Sequence, residues 1–306
     1  MKLGDHLILT RGFTSTQRQR FDTSELIKLA CGVYIDRHTY WDLKHWDQYK
    51  LRCLALGIEG RVLVGKAAAT LWGFPTTYLK HADIPIIGTG KKRPGIVKKR
   101  IPTDDLRIIN VDGYDIFVTS AALTIIDIAR WNSLGEAVRA GDWAVVYNKT
   151  TKAELTDALE ARHVTKGIDR ARTAVRLINH LSESPRESDV KVNLFLNGFE
   201  PPYQQAVIRD SEGVEFARVD FFYPEKSIVI EYDGQAKTKG HDGIKAVNNE
   251  RTRERRLISE GLLPIRVDNN SWQRKLYLKE LERYWNDDRK PFPSIQWSAP
   301  GRAWEL

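Results

Sequence analysis

Two short stretches carry acids at spacings that could do chemistry. Phe216-Ala217-Arg218-Val219-Asp220-Phe221-Phe222-Tyr223 and Ser227-Ile228-Val229-Ile230-Glu231-Tyr232-Asp233 flank Pro224-Glu225-Lys226. Both runs are rich in β-branched and aromatic residues, which predicts a β-hairpin. A two-residue turn at Glu225 and Lys226 pairs Pro224 with Ser227, Phe222 with Val229, and Asp220 with Glu231. Alternation along the second strand places Glu231 and Asp233 on one face and Ile228, Ile230 and Tyr232 on the other. Asp220, Glu231 and Asp233 are then expected to converge. Like charges facing across a ladder at about 5 Å destabilise it, and burial sharpens the conflict. A hard divalent cation, Mg²⁺ or Mn²⁺, is the simplest compensation. Such an ion takes carboxylate, water and phosphate oxygens and can generate hydroxide for attack on phosphorus.

The elements that must position these acids are legible on either side. Ser184-Pro185-Arg186-Glu187 opens a helix, with a hydroxyl cap, proline in the first turn and a glutamate three residues after the cap. Capping alone accounts for Glu187. It also precedes Val190 and Leu194 by three and seven positions, on the edge facing a sheet, where it could be a fourth acid. Beyond the hairpin, a helix from about Val247 to Glu260 presents Arg251 and Arg255 on one face, with Arg253 and Arg256 nearby. The guanidinium fork suits phosphate oxygens. An ordinary surface helix with intrahelical Glu250 and Glu254 pairs is the alternative. The alternation of Leu263, Ile265 and Val267 returns a strand to the sheet.

The first 180 residues read differently. Residues 14 to 21 and 23 to 30 predict two short helices before a strand at Val33-Tyr34-Ile35, the outline of a winged helix-turn-helix with Arg18, Arg20 and Lys28 available to phosphates. Residues 42 to 74 predict helices, 84 to 118 strands, and 120 to 180 helices again. Lys91-Lys92-Arg93-Pro94-Gly95 is expected at a basic hairpin tip that could meet phosphate. Cys31 and Cys53 lack metal-ligand spacing and are expected in helical core. With 48 Lys and Arg against 40 Asp and Glu, the net charge of +8 favours a polyanionic partner. No apolar run reaches the roughly 20 residues of a membrane span, and the N-terminus lacks a signal-peptide pattern. A cytoplasmic location is the expectation.

The string Arg218-Val219-Asp220-Phe221 to Ile230-Glu231-Tyr232-Asp233-Gly234-Gln235-Ala236-Lys237, then Glu250-Arg251-Thr252-Arg253-Glu254-Arg255-Arg256-Leu257 and Leu263-Pro264-Ile265-Arg266-Val267, resembles the endonuclease-like domain related to very-short-patch-repair enzymes in the PD-(D/E)XK superfamily. The likeness covers about residues 184 to 275. Cys31-Gly32-Val33-Tyr34-Ile35, Ala67-Ala68-Ala69-Thr70-Leu71-Trp72-Gly73-Phe74, and Val111-Asp112-Gly113 to Asp127-Ile128-Ala129-Arg130 are similar, more loosely, to abortive-infection AbiEi-type antitoxins. The first resemblance implies that Asp220 and Glu231 hold the metal, with Asp233 beside them and Glu187 at the site. The superfamily's lysine follows the glutamate by two positions, and here Asp233 stands in that place. Lys237 is the nearest substitute for orienting the attacking water or neutralising the transition state.

These readings predict an α/β (α+β) protein with a winged-helix-like region over 1–80, a mixed α/β and helical region over 81–183, and a nuclease-like mixed sheet flanked by helices over 184–306. The expected function is metal-dependent hydrolysis of DNA phosphodiesters, in phage defence or DNA repair. The rival is an antitoxin-type DNA-binding transcriptional regulator whose nuclease-like domain no longer cuts. The expected partners are DNA and either a second copy of the chain or a defence-system protein.

Overall fold

The computed structural model describes residues 2–77, 82–91, 93–101, 104–162, 166–233, 241–287 and 295–305, leaving out the side chains of Arg18 and of residues 241–249. The chain divides into two units, Met1–Ile178 and Asn179–Leu306. Each mixes helices with strands, as the α/β reading expects. Among the described residues no helix is long and apolar enough to cross a membrane.

The first unit runs β1 (Ile8–Leu9), α1 (Ser15–Arg20), β2 (Leu26–Ala30), β3 (Val33–Asp36), α2 (Arg37–Asp42), α3 (His45–Ile58), α4 (Gly65–Trp72), β4 (Ile84–Ile87), β5 (Ile96–Lys99), β6 (Leu106–Val111), β7 (Tyr114–Thr119), α5 (Ala121–Trp131), α6 (Leu134–Val146), α7 (Lys152–Glu160) and α8 (Ile168–Leu177). One core takes Leu54 and Leu71 together with Ile84, Ile86 and Val118. Apolar side chains from both sides of position 80 therefore share one interior, and the expected division there is corrected.

Two local expectations are also corrected. Residues 26–30 form a strand rather than the second helix of a helix-turn-helix, pairing Ile27 with Ile35 and Lys28 with Tyr34. Cys31 and Gly32 make the tight turn between Ala30 and Val33, with Gly32 at φ +73°, a conformation glycine adopts without a Cβ clash. Cross-strand pairing thus overrides the helical propensity of Leu26-Ile27-Lys28-Leu29-Ala30. Cys31 is exposed in that turn, not in a helical core, whereas Cys53 is buried in α3. The basic segment before Gly95 is not a hairpin tip, because β4 and β5 run parallel, with Ile84 beside Ile96. Of that segment, the described Lys91, Arg93 and Pro94 lie between the two strands, in the connection from β4 to β5. The antiparallel hairpin of this region is β6–β7, closed by Asn110 against Asp115 and Val111 against Tyr114.

The second unit runs α9 (Pro185–Leu196), β8 (Tyr203–Arg209), β9 (Glu215–Tyr223), β10 (Ile228–Tyr232), α10 (His241–Ser259), β11 (Leu263–Val267), α11 (Asn269–Arg274), α12 (Leu276–Trp285), β12 (Gln296–Ser298) and β13 (Gly301–Arg302). Its sheet has the order β11-β10-β9-β8-β12, with β13 also on β8. Strand β9 is antiparallel to both neighbours, while β10 and β11 are parallel. A parallel pair needs a crossover, and α10 supplies it. The β9–β10 hairpin has the expected register, Phe222 opposite Val229. Its turn differs, being a 3-10 turn over Pro224–Lys226 followed by Ser227 at φ +56°. Proline at the head of that turn fixes the φ a 3-10 turn needs.

Candidate active site

Continued by one pair from Ile230 opposite Phe221, the hairpin register sets Glu231 beside Asp220. On the far side of β10, Glu231 stands beside Arg266 of β11. On the far side of β9, the register of β8 brackets Asp220 with Gln205, since Gln204 pairs with Phe221 and Ala206 with Val219. Gln205, Asp220, Glu231 and Arg266 thus form a row across four strands.

Asp220 ends the β9–β10 ladder. Its Oδ2 accepts the backbone N–H of Tyr232 at 2.8 Å, so a side chain takes the place of the next ladder bond. Glu187 reaches the same row from α9. Ser184 caps this helix by accepting the Glu187 N–H at 3.2 Å, as expected. The glutamate's Oε2 accepts instead from Glu183 N at 2.8 Å and from Gln205 Nε2 at 3.2 Å. Glu187 and Glu231 are both buried, at 6 % and 5 % exposure, and Asp220 is half-buried.

All three carboxyls are harder to ionise than in water. For Glu187, burial and then the Asp220 charge push the group up to about 7. For Asp220, burial and the Glu183 charge outweigh the Tyr232 N–H, Arg253 and a hydrogen bond from Gln205. For Glu231, burial raises the group against the pull of Arg253 and Arg266, and the Asp220 and Glu250 charges add to the rise. Burial is the common and largest cause, with the neighbouring like charges adding to it.

Compensation is uneven. Glu231 Oε1 lies 2.7 Å from Arg253 Nη1, and Arg253 Nη2 lies 2.6 Å from Glu250 Oε1. Arg266 also pairs with Glu250. Its Nη1 approaches Glu231 Oε2 at 3.5 Å, and that buried oxygen has no hydrogen bond. Glu231, Arg253, Glu250 and Arg266 therefore close a ring of alternating charge. Ion pairing in this ring falls on Glu231 and Glu250, whereas around Asp220 and Glu187 the strongest hydrogen bonds come from neutral backbone N–H groups and an amide.

Sequence reasoning placed Asp220, Glu231 and Glu187 in one neighbourhood. The third acid of the expected trio, Asp233, lies just past the end of β10, exposed, with its N–H on Val267 O at 3.2 Å. Among the described residues no group of three or more His, Cys, Asp or Glu stands as a ready metal site. Lys237 and Lys92 lie outside the described residues, as does the Arg18 side chain. Arg251 and Arg255 are exposed on α10, and Lys28, Lys91 and Arg93 are exposed in the first unit.

Sequence reasoning named Arg253 and Arg266 without pairing them with Glu231, and missed Gln205. A signal existed for the two arginines. Leu257 is the buried residue of the α10 C-terminal turns, and Arg253 precedes it by four on the same stripe. Arg266 alternates with Ile265 and Val267 on β11, so it faces away from them, beside Glu231. The arginine ring carries a stability prediction. Arg253→Ala leaves buried Glu231 with only the long Arg266 contact and should cost about 2 kcal/mol in urea unfolding. Arg253→Lys should recover little, because a single ammonium cannot span Glu231, Glu250 and the Arg218 carbonyl, which Arg253 also reaches at 3.1 Å. Equal midpoints for wild type and Arg253→Ala would show the ring to be inert.

No family model matches the chain. The chain is similar to the uncharacterized proteins MT2308 and Rv2248 of Mycobacterium tuberculosis, from strains CDC 1551 / Oshkosh and ATCC 25618 / H37Rv. Each is 27% identical over 209 residues, covering 66% of this chain and 73% of the relative.

Proposed function

We propose that the second unit is the cutting half of a Mg²⁺- or Mn²⁺-dependent DNA endonuclease. The observation that carries this reading is the gathering of Glu187, Asp220 and Glu231 at one row of the sheet, each pushed toward its neutral form. Folding spends stability to hold these acids together, which fits a site that receives a cation. The donor chemistry fits too: hard carboxylate oxygens suit Mg²⁺, and the buried Glu231 Oε2 has no hydrogen bond. Asp220 and Glu231 would hold the ion. When bound, it supplies Lewis-acid polarisation of a phosphoryl oxygen and an acidified water. Glu187, raised to about 7, is matched to taking a proton from an attacking water near neutral pH. Arg251 and Arg255, exposed on α10, suit the flanking phosphates, and the +8 chain would be drawn to DNA. Lys237 is the candidate for the superfamily's missing lysine, and phage defence or DNA repair is the setting we propose. The test is supercoiled plasmid incubated with the full chain and Mg²⁺ or Mn²⁺. We expect nicked or linear product that disappears with chelator; intact plasmid under both ions would remove the proposal.

One observation favours a second reading. Asp233 stands where a lysine is expected, and Arg253 already pairs with Glu231. A DNA-binding regulator of the antitoxin kind with an inactive nuclease-like unit accommodates both. It should retain salt-sensitive binding to specific DNA in chelator and with Asp220 and Glu231 replaced.

A further inference from the structure

The least expected backbone in the second unit is at Gln205. It lies inside β8, yet its φ is +51°, in the left-handed region that glycine favours, and it drops out of the pairing that continues at Gln204 and Ala206. Non-glycine residues held there are uncommon and cluster where a side chain must be aimed. Here the side chain is 8 % exposed, and its Nε2 donates to Glu187 Oε2 at 3.2 Å. By register it stands beside Asp220, whose charged form the same side chain favours. One neutral amide therefore holds Glu187, from α9, next to the Asp220 of β9 that repels it.

We propose that Gln205 is the positioning residue of this site, its amide holding Glu187 beside Asp220, so that Asp220 faces the divalent cation it shares with Glu231 and Glu187 faces that ion's water. An amide suits the task because it can donate to both acids and carries no positive charge to compete with a cation. A lysine or arginine in its place would neutralise the pair. The inference rests on the cation reading above and adds to it the residue that shapes the site.

The experiment compares wild type with Gln205→Met and Gln205→Gly as full chains, titrating Mn²⁺ and following loss of the free-ion electron paramagnetic resonance signal. Methionine keeps the side-chain bulk and the backbone constraint but has no donor. Glycine also lacks a donor but relieves the constraint. The two variants should therefore differ in melting temperature, glycine being the higher, while both weaken Mn²⁺ binding about tenfold. Wild-type affinity in either folded variant overturns the role of Gln205 alone. A wild-type chain that leaves Mn²⁺ free overturns the cation reading, and the role of Gln205 with it.

Discussion

Asp220→Asn should lose DNA cleavage by about a thousandfold while the fold holds or gains stability at pH 8. The two outcomes come from the same geometry. Asparagine keeps an oxygen to accept the Tyr232 N–H, now met by Asp220 Oδ2 at 2.8 Å, so the end of the β9–β10 ladder survives. It removes the negative charge that burial and Glu183 disfavour and that in turn pushes Glu187 up. A purely structural aspartate would behave the other way, with activity falling only as far as the folded fraction falls. Plasmid cleavage and urea unfolding, measured on the same preparation, separate the two cases. Activity within a fewfold of wild type would show that Asp220 holds no catalytic ion.

The second large effect is a pH dependence. The Glu187 carboxyl sits at about 7 in the folded chain against an ordinary 4.5. Between those values the folded state keeps a proton that the unfolded chain has released, so stability must fall as pH rises through that window. The loss is nearly complete above about 7 and should be on the order of 3 kcal/mol for this group. Glu187→Gln retains an acceptor for Glu183 N–H but cannot ionise. The variant and wild type should unfold at similar urea concentrations at pH 4.5, and the variant should be the more stable at pH 8. Millimolar Mg²⁺ should close part of the gap at pH 8 by stabilising wild type, since a ligand that binds only the folded state adds to its stability. Parallel pH profiles for the two proteins would mean that Glu187 carries no strained charge.

The sequence made the acid hairpin legible because three signals agreed: β-rich runs, a turn between them, and period-two alternation. The pairing of Phe222 with Val229 followed even though the turn is 3-10 rather than two-residue. A turn that changes shape without changing the number of residues consumed leaves the register intact. Asp233 differs from Glu231 in burial rather than in alternation: β10 ends at Tyr232 and leaves it exposed. The second N-terminal helix failed for a related reason. Leu26–Ala30 leans toward helix on its own, and its partner Val33–Asp36 overrides that lean through cross-strand contacts. Gln205 was illegible, since no spacing announces a positive φ at a glutamine in mid-strand. Arg253 was partly legible, but a helix rich in Arg and Glu offers several pairings of similar energy, and only the position of Glu231 selects among them.

The account stands on a cation shared by Asp220 and Glu231. Crystals of the full chain soaked in Mn²⁺ and measured at a wavelength where manganese scatters anomalously give the most direct answer. The account predicts one anomalous peak between the Asp220 and Glu231 carboxylates, with an oxygen of each about 2.2 Å away. A map with no peak at that row, and with Glu231 still held by Arg253 and Arg266 alone, would contradict it.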